Sequence, residues 1–321
     1  MPVRIIVALF AFAMLALGIG FFVSKNSGGP LPAFLQRPEF EGFRATGENT
    51  YSGNGAQIKL EMKSDVMKSA TVTFQGVPAA QAGKLLAALT NLGDDIDTKY
   101  AQYVTQTATI LEQPGGKTEN IGSAFRLNTQ IRNKNLEFDV RIPEIPTETF
   151  VPVDNIMGQK NSSIVIRVFS DFECPYCEKF DKEVMNTLGK KLPTGVRLEF
   201  HHFPLESIHP RARPAAEASE CAADQGQFWA FHDALFADRS WIQSQMPQAF
   251  FVEVASKLGM KTDEFASCVK TNKYKARVDA GLQSGQRAGV NGTPSVFVNG
   301  YKLENPYDPV AIEKMIAFAR D

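Results

Sequence analysis

The chain has 321 residues, 44% of them hydrophobic, which is enough for two units of ordinary size, each with its own core. Its formal net charge of -1 leaves no overall field to draw in a polyanion. With no phosphate-binding glycine loop and no aromatic-basic interleaving either, the composition argues against a nucleic-acid partner.

Ile5 to Val23 is apolar or small throughout and carries no charge, a length that matches the hydrocarbon thickness of a bilayer. Arg4 precedes it and Lys25 follows. The length of the run, and the lack of a small-residue cleavage site in Val23-Ser-Lys-Asn26, favour a single-pass anchor over a cleaved signal peptide. Either one exports the body of the chain. The flanking charges are too few to orient the segment; the cysteine chemistry below is what argues for the extracytoplasmic side.

Residues 1–24 thus read as anchor or signal, and residues 25–39, with Ser27-Gly-Gly-Pro-Leu-Pro32, as a spacer. Residues 40–142 contain no cysteine and read as a small α+β module. Alternation in Gln57–Met62 and Ala70–Phe74 predicts strands. Leu85, Leu86, Leu89 and Leu92 predict a helix over Ala79–Leu92, with Gly76-Val-Pro78 before it and Gly93 after. Tyr100–Leu111, Ile121–Ile131 and Leu136–Ile142 are expected as further strands, turned at Pro114-Gly-Gly116 and Asn133-Lys-Asn135. The expectation is an antiparallel sheet with one helix, a structural or interaction module without a catalytic constellation. Residues 143–161, with Pro143 and Pro146, read as a second linker.

From Ser162 the order reads strand (Ile164–Ser170), helix (Cys174–Leu192), strand (Val196–Phe203), then a long helical stretch from about Arg211 to Ala288. A hairpin, Ser295–Val298 and Tyr301–Leu303 about Asn299-Gly300, and a last helix over Pro309–Arg320 complete it.

Cys174-Pro175-Tyr176-Cys177 stands at the strand-to-helix junction. A helix start presents unpaired N–H groups and the positive end of the macrodipole, which lower the pKa of a thiol placed there. Cys174 is so placed, Pro175 fits the first turn, and Cys177, a turn further in, is the resolving thiol. Such a pair passes disulfides by thiolate attack and release. A zinc site would need further Cys or His ligands at short spacing, and Cys221 and Cys268 stand far apart; no metal and no cofactor is called for. An inert structural bridge is disfavoured by the reactive position. Asp171, Glu173 and Glu178 put carboxylates near the nucleophile, where they would favour the neutral thiol; Glu173 is expected to be exposed.

Val168-Phe-Ser-Asp-Phe-Glu-Cys-Pro-Tyr-Cys177 resembles the active-site segment of DsbA-type thioredoxin-fold proteins. Gly289-Val-Asn-Gly-Thr-Pro-Ser-Val-Phe-Val-Asn-Gly300 is similar to their second signature, and Cys221-Ala-Ala-Asp-Gln-Gly-Gln-Phe-Trp229 with His232-Asp-Ala-Leu-Phe236 to their helical insert. The resemblance covers 162–321 and does not extend to the module before it. It implies an α/β thioredoxin fold with an inserted helical subdomain at about 207–288, preceded here by the small α+β domain and the N-terminal transmembrane helix. It implies Cys174 as nucleophile, Cys177 as resolving thiol, Pro175 and Tyr176 as redox-tuning residues, and Thr293 and Pro294 as substrate contacts, with the Thr293-Pro294 bond cis. Three positions depart from DsbA: Tyr176 in place of histidine, Thr293 in place of valine, and Val168 in place of a buried glutamate. Tyrosine carries no cationic charge, so a weaker oxidant than DsbA is expected. Pro-Tyr and Thr-Pro also occur in DsbG-like isomerases and chaperones, which carry an N-terminal dimerisation domain.

Cys221 and Cys268 both fall in the insert. An even cysteine count and an oxidising compartment suit a structural disulfide; two buried free thiols are the alternative. The first functional reading is an oxidase anchored in the cell membrane that forms disulfides in exported proteins and is served by a membrane redox partner. An isomerase or reductase kept reduced is the second. A chaperone or assembly factor binding through the N-terminal module is the third.

Overall fold

The structure is a computed structural model describing residues 33–320 except 65, 94 and 189–191. The expected anchor lies outside the described residues, as does most of the spacer. Among the described residues no helix is long and apolar enough to cross a membrane.

The first unit contains β1 (Arg44–Gly47), β2 (Thr50–Gly53), β3 (Ala56–Lys63), β4 (Val66–Phe74), α1 (Ala79–Thr90), α2 (Ile96–Gln106), a short α3 (Ala108–Leu111), β5 (Lys117–Ile121), β6 (Phe125–Arg132) and β7 (Asn135–Arg141). Among the described residues its strands form one antiparallel sheet in the order β1-β2-β3-β4-β7-β6-β5. Period-two patterning sets its two faces. Ile58 and Leu60 of β3, Val72 of β4, and Leu136, Phe138 and Val140 of β7 point into the core with Leu85, Leu86 and Leu89 of α1. The opposite face is polar and cross-paired: Thr71 donates to Asp139 at 3.1 Å, and Lys68 and Ser69 donate to Glu61 at 3.0 and 3.1 Å.

Four expectations need correction here. Ile121–Ile131 is not one strand: a turn at 122–124, opened by Gly122 at φ +57°, separates β5 from β6. Tyr100–Leu111 is helical, not a strand. Its aromatic and β-branched residues mimic strand composition, but Tyr100 and Val104, four apart, are buried while Gln102 and Thr105 are exposed, which is a helical period. The sheet therefore carries two main helices rather than one. The stretch read as a spacer up to residue 39 packs near its end: Leu35, on a 3₁₀ turn, is 1% exposed and belongs to the same core as Phe40, where the module was expected to begin.

The second unit starts before the expected boundary. Residues 143–161 were expected as a linker, yet β8 (Ile156–Gly158) joins the second sheet, and Phe150 packs edge-on to Phe297 and beneath the Arg167 guanidinium. Then come β9 (Ile164–Ser170), α4 (Pro175–Phe180), a π-helical turn (Asp181–Met185), α5 (Asn186–Leu188) and β10 (Val196–His202). The insert is not one helical stretch but α6 (Ala212–Ala223), α7 (Phe228–Ala237), α8 (Pro247–Lys257), α9 (Thr262–Lys270) and α10 (Lys275–Arg287). β11 (Ser295–Val298), β12 (Tyr301–Lys302) and α11 (Pro309–Arg320) close the chain. The sheet order is β12-β11-β9-β10-β8, with β9 and β10 parallel and the other pairs antiparallel. Every residue of β9 is buried, as a parallel strand covered on both faces requires.

The two units share one apolar cluster. Ile312, Met315, Ile316 and Phe318 of α11 bridge it from Val296 and Val298 to the first sheet, and Lys63 lies over the Phe318 ring. Tyr301 donates to Glu144 at 2.6 Å, and Ile145 N donates to Gly300 O at 2.8 Å. A Cβ at Gly300 would lie 2.2 Å from the Ile145 carbonyl, so glycine is needed for that approach.

Cys221 of α6 and Cys268 of α9 are disulfide-bonded across 47 residues. Closing a loop of that length restricts the unfolded chain by about 4 kcal/mol in the chain-entropy model. The Cys221→Ala/Cys268→Ala variant is expected to lose stability of that order in chemical denaturation. A loss below about 1 kcal/mol would show that the helices hold together without the bridge.

Candidate active site

The site is built where β9 ends and α4 begins. Cys174 is the N-cap of α4 with extended backbone, Pro175 occupies the first helical position, and Cys177 lies in the first turn. Both cysteines are free thiols and both are covered, at 3% and 1% exposure. The Cys174 sulfur is 3.5 Å from the Thr293 carbonyl, and the Asp171 amide donates to the Cys177 sulfur at 3.4 Å. Thr293-Pro294 is a cis peptide, standing just before β11, which pairs with β9. The fold thus brings together Cys174, Cys177, Pro175, Tyr176, Thr293 and Pro294 from two ends of the domain sequence. Cys221 and Cys268 are held apart from them in the insert.

The two thiols differ in charge preference. The Cys174 thiolate is stabilised first by the Cys177 thiol, then by Thr293 and by the helix-start amides of Cys177 and Tyr176, which together outweigh burial and bring its pKa down to about 6. The Thr293 hydroxyl is buried and makes no hydrogen bond among the described residues. Cys177 is pushed well above the ordinary thiol range, first by burial and then by its bond to the Cys174 sulfur and that sulfur's charge; the Ser170 hydroxyl works in the other direction. One thiol is set to attack and leave as an anion, and the other to hold its proton.

The flanking carboxylates do not face the nucleophile as free charges. Glu173, expected to be exposed, is 7% exposed, and Asp171 is 2% exposed. One oxygen of Asp171 accepts from the amides of Glu173 (2.7 Å) and Cys174 (3.2 Å), and the other from Leu205 N (2.9 Å) and His209 Nδ1 (2.8 Å). Glu173 accepts from Arg211 N at 2.6 Å. Arg239 donates to the carbonyls of Phe172 and Glu173 at 3.0 and 2.7 Å and pairs with Glu178 at 3.2 Å. Buried carboxylates need such partners, and here the partners come from the β10 exit and the insert, which sequence spacing alone does not reveal. Asp171 did leave a signal: an Asp two and three residues ahead of the amides it binds is an Asx-turn arrangement. Arg239, His209 and Tyr307 left none. Tyr307 donates to the Tyr176 carbonyl at 3.0 Å from the loop before α11.

Val168, where DsbA carries a buried glutamate, is an apolar core residue at 1% exposure. Beside it on the paired strands, Arg167 and Glu199 form a buried ion pair at 3.1 Å. Asp181, His232 and Asp233 offer three ligand atoms within 4.8 Å of one another. No thiol is among them, and His232 Nδ1 is already bonded to Asp233 at 2.9 Å, so the cysteine chemistry does not run through them.

A family model described as Thioredoxin matches residues 151–317. The Na(+)/H(+) antiporter NhaA 3 of Salinispora tropica is 34% identical over 178 residues, 54% of this chain and 26% of that protein. The chain spans about a quarter of the length of the curated relatives it matches. Among solved structures, oxidised BdbD from Bacillus subtilis aligns with a TM-score of 0.48 at 19% identity, covering 56% of this chain and 97% of that one. DsbA of Chlamydia trachomatis aligns with a TM-score of 0.47 at 20% identity, covering 56% and 97%. With its match to the Thioredoxin model over half of its length, the chain belongs to the thioredoxin family, and its paired thiols at the start of α4 are placed for disulfide exchange.

Proposed function

We propose that the chain is a thiol:disulfide oxidoreductase and works as an oxidase, forming disulfides in exported proteins from the extracytoplasmic side of a membrane. The observation that carries the direction is the stabilised Cys174 thiolate. A pair whose reduced form is stabilised gives up its disulfide readily. The Cys221–Cys268 disulfide supports an oxidising compartment, and the apolar run Ile5–Val23 supports attachment to the membrane.

The reaction starts from the Cys174–Cys177 disulfide. A substrate thiolate attacks the Cys174 sulfur, the bond to Cys177 breaks, and Cys177 leaves and takes up a proton, as its raised pKa favours. A second substrate thiolate then attacks the substrate sulfur of the mixed disulfide. Cys174 leaves as a thiolate, and two electrons pass from the substrate to the pair. A membrane redox partner of the quinone-linked kind restores the disulfide. The substrate is an unfolded cysteine-bearing chain. Exposed Tyr176, Ile208 and Met246 support apolar contact beside the site, the last two on segments tied to the Asp171–Glu173 turn through His209, Arg211 and Ser244.

Mixing the oxidised protein with reduced ribonuclease is expected to transfer one disulfide per molecule, with Cys174→Ser inactive; reduced Cys177→Ser mixed with disulfide-scrambled ribonuclease is expected to be trapped as a mixed disulfide, its Cys174 thiolate attacking a ribonuclease disulfide and releasing one ribonuclease thiol. Transfer by Cys174→Ser would defeat the reading. Because Tyr176 adds no cation, the measured reduction potential is expected between about −270 and about −120 mV, the thioredoxin and DsbA values; a value at the DsbA end would remove Tyr176 from the argument. A pair found reduced in cells would favour the isomerase or reductase instead.

The pH dependence has a definite sign. A thiol depressed from 9.0 to about 6 stabilises the folded reduced form at high pH, and that contribution is lost as pH falls from 9 through 6. Raised Cys177 acts in the opposite sense above the ordinary thiol range. The stability of reduced relative to oxidised protein, read from denaturation at several pH values, is expected to rise between pH 6 and 9. A flat difference would contradict it.

A further inference from the structure

The loop from Leu303 to Asp308, between β12 and α11, touches both units of the molecule. At one end Glu304 accepts three hydrogen bonds from the β5–β6 turn: Ser123 N at 2.7 Å, Ala124 N at 2.8 Å and the Ser123 hydroxyl at 3.0 Å. That turn is shaped for the carboxylate. Gly122 has φ +57°, and a Cβ there would meet the Leu92 side chain at 2.5 Å and both Glu304 oxygens at 3.0 Å. At the other end the Tyr307 hydroxyl donates to the Tyr176 carbonyl at 3.0 Å, its ring packs edge-on against Phe180, and Lys179 lies over that ring at 5.1 Å. Between them the Asn305 side chain accepts from Tyr307 N at 3.0 Å, closing a tight turn.

The carbonyl that Tyr307 reaches belongs to the peptide unit whose N–H is that of Cys177. Cys174 is the N-cap of α4; its sulfur makes no capping hydrogen bond in the structure, but the amides of the second and third residues after an N-cap, here Tyr176 and Cys177, are the ones a capping side chain engages, and they favour the Cys174 thiolate. A donor on a peptide oxygen polarises the amide and strengthens the bond its N–H makes. We propose that Tyr307 is a positioning residue for Cys174. Its hydroxyl polarises the 176–177 peptide toward the sulfur, and Glu304 holds the loop so that the N-terminal module sets how well Tyr307 does so. This deepens the exchange reading and rests on it only in taking Cys174 as the reactive thiol. Charged and titratable groups facing Tyr307 are Lys179, Glu183, Tyr176 and the two cysteines; burial and then the Cys177 and Cys174 charges raise its own pKa to about 12, so it remains a donor across the working range.

The test is the pH profile of Cys174 alkylation by iodoacetamide in the reduced full chain, with the site read by mass spectrometry. Tyr307→Phe keeps the ring and removes only the hydroxyl, and the midpoint is expected to rise by about 0.3–0.6 of a pH unit. Replacing Tyr307 with 3-fluorotyrosine, a stronger donor, is expected to move it the other way, which covers the case of a misfolded Phe variant. Glu304→Ala is expected to raise the midpoint, with no further rise in the double variant. A Tyr307→Phe midpoint within about 0.1 of wild type overturns the role of Tyr307. A null effect of Glu304→Ala, or one that adds to that of Tyr307→Phe, overturns the coupling to the module. The profile needs no protein substrate, so absence of disulfide transfer to ribonuclease would sink the oxidase reading alone.

Discussion

The Asp171 carboxylate ties the reactive turn to the rest of the domain. It is buried, and its two oxygens share four donors: two amides of the turn carrying Cys174, one amide at the exit of β10, and the His209 ring. β9 and β10 run parallel, so their C-terminal ends emerge side by side. Open α/β sheets place ligand chemistry at that edge. Asp171 fastens the two exits together there, and Arg239 adds a second grip on the carbonyls of Phe172 and Glu173. Positioned helix-start amides stabilise charge only if they do not have to reorganise when it appears, and this frame holds them in place around the Cys174 sulfur.

The same frame explains what the sequence disclosed and what it withheld. Cys174, Pro175 and Cys177 were legible because helix-start chemistry is local: the residue types and their spacing define it. Thr293-Pro294 was legible only by resemblance, since nothing local links it to residues more than a hundred positions earlier. The carboxylates misled for the same reason. Glu173 looks like a solvated charge until Arg211 and Arg239, contributed by the insert, are placed beside it. Composition misled at Tyr100–Leu111, where residues favoured in strands pack with a helical period because the sheet beneath demands a covering helix. Proline misled at 143–161: Pro143 and Pro146 interrupt pairing locally, yet Phe150 and β8 a few residues on are part of the second unit.

The N-terminal module, bland in sequence, is continuous with the redox domain in structure. One apolar cluster runs from the first sheet through α11 to β9 and β11, and polar contacts at Tyr301–Glu144 and Glu304–Ser123 flank it. A module joined by a buried apolar seam as well as a tether does not swing as an independent arm, because separating the units would expose Phe318, Met315 and their partners to water. Its orientation toward the exchange site is thereby part of the fold.

The bridge between Glu144 and Tyr301 carries a consequence for self-association. An unpaired sheet edge is a template for another chain. The redox sheet presents little template. At one side β12 pairs over two residues only, and the segment running in from the first unit lies across it with a backbone bond from Ile145 to Gly300. At the other side β8 is three residues long. Both edges of this sheet are thus kept from adopting another chain as a permanent strand.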